Sequence, residues 1–143
     1  MASRKHAREL ALQSLFGVEI GHRPAEDMVV ETCGTADSEQ RRFVSDLVTG
    51  TLDHAAESDT ALIPLLEGWT IERLPTIDRL LLRSSVFELT HRETPAAVVI
   101  NEAVELAKKF STDDSPRFIN GVLSNFSKRL HRVGLLEGGA PLK

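Results

Sequence analysis

The chain has 143 residues, 41% apolar and 27% charged, the make-up of one globular domain able to bury a full core without a metal or disulfide. Its single cysteine, Cys33, excludes an internal disulfide and a cysteine metal framework, and its net charge of −4 confines any nucleic-acid contact to a local basic patch. No stretch approaches the roughly 20 apolar residues that cross a bilayer, and the charged start lacks the apolar run of a signal peptide, so a reducing, cytoplasmic setting without membrane contact is expected.

Residues 3–20 read as the first helix. Ala7, Leu10, Ala11, Leu15 and Val18 recur at helical spacing, and Ser3 can cap it. Arg4, Lys5, His6 and Arg8 crowd its first turns. Cations there oppose the helix dipole, so they do little for stability. They are either a solvated cluster or a nucleic-acid contact. Residues 21–24 break the chain, 25–32 form a short helix, and 33–35 a loop. Ser38 then caps a helix to about residue 56, with Phe43, Leu47, Val48 and Leu52 inward and Gly50 at a close packing point. Arg41, Arg42, Asp53 and His54 fall on its solvent face. Cys33, His54 and Asp53 have no spacing that makes a nucleophile set.

Residues 60–66 read as a further helical segment, started or kinked by Pro64. Residues 68–70 interrupt the chain, and Trp69 within them reads as a packing anchor. An apolar run follows at 71–74. Pro75 opens a helix to about residue 90, apolar nearly all round through Ile77, Leu80, Leu81, Leu82, Val86, Phe87 and Leu89. Such a helix belongs at the centre of its fold. Arg83 inside it needs a carboxylate partner, for which Glu102 and Glu105 are the candidates.

Residues 95–126 read as two helices joined by an acidic turn. Val99, Ala103, Leu106, Ala107 and Phe110 line the first; Ile119, Val122, Leu123, Phe126 and Leu130 line the second. Ser115 is placed to cap the second, with Pro116 at its first position. The short connection makes an antiparallel pair that needs other walls. Asn101 and Asn120-Gly121 interrupt the stripes. The expectation is that Gly121 lets a neighbouring helix approach and that at least one asparagine is buried on main chain. Lys128, Arg129, His131 and Arg132 suit the negative end of the last helix dipole. Residues 1–136 are expected to form one domain and residues 137–143 a flexible tail. No alternating strand pattern, P-loop or metal-ligand spacing occurs. The fold class is therefore all-α, with no cofactor and no catalytic set expected: the chain is not read as an enzyme.

Three blocks carry a resemblance: RKHARELALQSLF at the start, WTIERLPTIDRLLLRSSVFEL in the middle and VVINEAVELAKKFSTDDSPRFINGVL near the end. Together they span most of residues 4–123 and resemble the NusB family of bacterial transcription antitermination factors. The resemblance implies about seven helices in two small packed sub-bundles. It also implies binding to boxA, a short single-stranded element of nascent ribosomal RNA, together with the ribosomal protein NusE in an RNA polymerase antitermination complex. RNA contacts would fall on Arg4, Lys5, His6 and Arg8, and on Asp114, Ser115, Arg117 and Phe118 at the loop into the last helix. Asp78 would lie on the NusE-facing surface, with Arg79 and Leu82 beside it. Cations would hold phosphates, and Phe118 or Arg117 would lie against a base. Asp114 would bond a base edge or cap the helix. The alternative is a helical interaction module without RNA specificity of its own. It would be a homodimer on its apolar faces, or an accessory to a ribosomal-RNA methyltransferase. The domain also resembles the N-terminal part of some ribosomal-RNA cytosine methyltransferases, but this sequence has no Gly-rich strand-to-helix motif.

Overall fold

The computed structural model describes residues 3–132; the expected tail at 137–143 lies outside the described residues. Among them are seven helices: α1 (Arg4–Gly21), α2 (Ala25–Cys33), α3 (Ser38–Asp53), α4 (Ala55–Leu62), α5 (Thr76–His91), α6 (Ala96–Phe110) and α7 (Ser115–Arg132). Two 3-10 turns, Ile63–Leu65 and Ile71–Arg73, separate α4 from α5, and no strand occurs among the described residues. The all-α reading stands. No described helix is long and apolar enough to cross a membrane.

The chain divides into two compact units, Met1–Asp53 and His54–Lys143. The division falls where the sequence pattern suggests one continuous helix to about residue 56. His54 leaves helical geometry with φ −106 and ψ 15, and α4 starts afresh at Ala55. Nothing in the residue types around it announces the break: Asp53, His54, Ala55 and Ala56 all tolerate a helix.

In the first unit α1, α2 and α3 pack on one another. Ser3 caps α1 as expected, its Oγ accepting the His6 N–H at 3.1 Å. Ala7, Ala11 and Leu15 of α1 and Val44, Leu47 and Val48 of α3 are buried. A Cβ on Gly17 would lie 2.3 Å from the Met28 Cε, so the flexible Met28 side chain of α2 packs directly against this glycine and would have to move to admit a larger residue. Leu52, expected inward, is 38% exposed at the end of α3.

In the second unit α5 is central, as its all-round apolar surface requires. Leu80, Leu81, Leu82, Val86, Phe87 and Leu89 are buried, with α4, α6 and α7 packed around them. The stripes of α6 and α7 face each other across a short connection, although Phe110 ends half exposed. Arg83 is paired, but with Asp59 of α4 rather than Glu102 or Glu105. Its Nε and one Nη donate to the two carboxylate oxygens at 2.8 and 2.7 Å. The expectation for the asparagines fails. Asn101, Asn120 and Gly121 are all exposed, and nothing lies within 4 Å of a Cβ placed on Gly121. The polar residues interrupt the stripe because they fall on its solvent side.

Candidate nucleic-acid interface

The first unit carries the basic start of α1. Arg4, Lys5 and His6 are exposed. The Arg4 guanidinium lies over the Phe43 ring, 4.2 Å from its centre, so it is held in place by a cation–π contact. Arg8 differs from the expectation: it is buried, with its guanidinium 5.4 Å from the centre of the same ring. One turn separates Arg4 from Arg8; both guanidinium groups meet Phe43 of α3, but only Arg8 is buried. Arg8, expected among the contact residues, is thus buried in this structure and not exposed beside Arg4, Lys5 and His6.

The second unit carries the loop between α6 and α7. Its anchor is Asp78, which is buried near the start of α5. One carboxylate oxygen accepts the Ser111 hydroxyl at 2.6 Å and the other accepts the Ser115 hydroxyl at 2.9 Å. Ser115 Oγ in turn accepts the Thr112 N–H at 3.2 Å. The loop is thus tied down on a carboxylate. Ser115 is the first residue of α7 and is buried, so it does not cap the helix from outside, which corrects that expectation. The capping position is taken by Asp114, whose carbonyl accepts the Phe118 N–H at 3.1 Å. Its exposed carboxylate stands at the positive end of the α7 dipole.

Around this anchor lies a cleft of about 240 Å³ lined by Trp69, Leu74, Pro75, Asp78, Thr112, Asp114, Ser115 and Phe118. Two aromatic side chains share its wall. Phe118 is half buried, and Trp69 is 55% exposed. Trp69 is therefore no packing anchor. A tight turn presents it: the Trp69 N–H donates to the Leu66 carbonyl at 3.1 Å, and Glu67 and Gly68 between them have φ of 49° and 94°. Arg117 is exposed in the first turn of α7. Lys108 and Lys109 are exposed in the last turn of α6, with Lys109 Nζ 5.2 Å from the centre of the Phe110 ring. Sequence reasoning read Trp69 as a packing anchor and assigned no role to either lysine. The signal for Trp69 was Gly68 beside it, which marks a turn that can turn a ring outward.

The expected partner surface on α5 does not form as such. Asp78 and Leu82 are 3% and 0% exposed, so neither presents a side chain to a partner. The periodicity that makes α5 central also closes these positions. Arg79 is half buried and donates long hydrogen bonds to the Ile71 and Leu74 carbonyls at 3.4 and 3.3 Å. Burial, then the nearby Arg83 charge, push its pKa down.

The sequence pattern of the NusB family matches residues 5–128. The transcription antitermination protein NusB of Solibacter usitatus is 46% identical over 127 residues, covering 86% of this chain and 87% of that protein. The NusB of Staphylococcus aureus (strain bovine RF122 / ET3-1) is 43% identical over 132 residues, covering 88% and 99%. Among solved structures, T. maritima NusB superposes with a TM-score of 0.84 at 28% identity over 89% of this chain and 92% of that one. A crystal structure of the antitermination factors NusB and NusE in complex with double-stranded RNA matches with a TM-score of 0.78 at 27% identity, over 88% and 96%. The family pattern and these relatives cover most of the chain's length, and the chain belongs to the NusB family.

Proposed function

We propose that this chain is an RNA-binding antitermination factor that holds the single-stranded boxA element of nascent ribosomal RNA together with NusE, within the RNA polymerase antitermination complex. The observation that carries the reading is the pairing of exposed cations with a shared aromatic cleft, in a chain similar to a NusB solved with NusE and RNA. In this reading residues 1–136 act as one RNA-binding domain. Arg4, Lys5 and His6 neutralise phosphates on the first unit, and Arg117 with Lys109 does so on the second. A base enters between Trp69 and Phe118, and the Asp114 carboxylate accepts a hydrogen bond from its amino edge. Asp78, Ser115 and Arg8 act behind the surface. They fix the loop and the Arg4 platform.

The cleft favours a single strand over a duplex, because a paired and stacked base cannot enter it. The homodimer alternative draws on exposed Leu or Val of α5, and every leucine of that helix and its Val86 is buried. Fluorescence anisotropy with labelled boxA-like RNA, with and without NusE, tests the reading. Binding tightens when NusE is present, as linked sites on one RNA require. An unlabelled duplex of the same sequence competes poorly. Equal affinity in both arms, or efficient competition by the duplex, contradicts the reading.

A further inference from the structure

A second cluster of polar side chains lies where α4 begins and α5 ends. His54 precedes α4, Glu57 stands in its first turn, and His91 is the last residue of α5. The His91 Nε2 and the Glu57 Oε1 are 3.0 Å apart. The His54 and His91 rings stand 4.2 Å apart between centres. Both rings also lie against Phe87, at 5.3 and 5.2 Å, and Phe87 is buried, which gives them a common apolar floor. One donor atom from each of the three side chains falls within 4.8 Å of the others.

We propose that His54, Glu57 and His91 form a binding site for a divalent transition metal, with zinc the ion of best chemical match. Two imidazoles and a carboxylate suit zinc, and three protein ligands leave a position for water. An ion pair would need only His91 and Glu57; the second imidazole adds the donor that a metal requires. Geometry agrees. Ligand atoms about 2.1 Å from a tetrahedral zinc stand about 3.4 Å apart. The His91–Glu57 pair is already near that value, and no separation has to close by more than about 1.4 Å through side-chain rotation. Glu57 and His91 are exposed and free to make that adjustment. On binding, the metal takes the place of the proton between the His91 nitrogen and the Glu57 oxygen. A neutral His91 shifts that proton from Nε2 to Nδ1 through solvent exchange; a protonated one releases it to solvent and keeps the other on Nδ1. The bound ion joins the start of α4 to the end of α5. Thirty-four positions separate Glu57 from His91, so no local spacing could reveal the site.

Calorimetric titration of the full chain with zinc chloride tests this, alongside the visible spectrum with cobalt(II) in its place. One equivalent binds, and cobalt gives visible bands without the near-ultraviolet thiolate band that Cys33 would add. Glu57→Gln and His91→Ala each weaken binding by at least about tenfold, the loss that even an outer-shell change brings. His22→Ala, at an exposed histidine elsewhere, leaves the affinity unchanged. Circular dichroism of each variant confirms that the helices remain. No saturable binding, affinity unchanged in both site variants, loss on His22→Ala, or a thiolate band overturns the proposal.

Discussion

Asp78 receives the Ser111 and Ser115 hydroxyls at 2.6 and 2.9 Å and is itself largely buried. Replacing it with alanine leaves both hydroxyls to find new partners beside a vacated space. Asp78→Ala is expected to cost about 2 kcal/mol of stability in a urea denaturation, the usual scale for orphaned buried polar groups. It also frees the loop under Phe118, so RNA affinity falls with it. Unchanged stability would mean that the carboxylate does not anchor the loop. The residue block around Asp78 was legible as important from sequence, but its direction was not. The same holds for Arg8 and Ser115. Helical spacing puts Arg8 on the face of Arg4, yet its burial depends on Phe43, thirty-five positions away along the chain. A side chain's exposure is decided by elements that local pattern cannot position.

The turn at residues 66–69 presents Trp69, and its shape depends on Gly68. At φ +94 an L side chain is strained whatever the space around it. Gly68→Ala is expected to destabilise by about 1–2 kcal/mol, read from a thermal melt, and to weaken RNA binding by displacing the ring. A neutral effect on both would show that the turn is soft. Between α4 and α5, the Arg83–Asp59 pair is bidentate and only partly exposed. Asp59→Ala leaves the guanidinium without this partner and should cost about 1–3 kcal/mol, between the values for surface and buried pairs. A loss below about 0.5 kcal/mol, typical of open surface, would place the pair in water instead. The helices with clear apolar stripes, α1, α5, α6 and α7, were readable almost to their ends. The boundary of α3 and α4 was not, because a single residue leaves helical geometry there without glycine or proline. The partner of Arg83 was missed for a related reason: α4 is short, and its stripe is too brief to orient Asp59.

On the scale of the molecule, charge sets the strength of RNA binding. The net charge is −4, and burial of Arg8 shortens an already small basic run. The four or five phosphate contacts proposed, from Arg4, Lys5, Arg117 and Lys109 with a charged His6, on a single strand give a slope of log affinity against log salt of about −3. A measured slope steeper than about −5 would require a basic surface that the proposed contacts do not contain. Cations position the strand, and the aromatic cleft supplies what charge does not. Trp69 is the chain's one tryptophan, and there is no tyrosine, so emission from this cleft can be read without interference. Tryptophan fluorescence during titration with boxA-like single-stranded RNA, followed beside anisotropy of the same mixture, tests base entry directly. Saturable quenching with the anisotropy midpoint is expected, and Phe118→Ala should weaken binding about tenfold by removing one stacking face. RNA that binds while the emission stays unchanged would place the bases elsewhere and contradict the proposed interface.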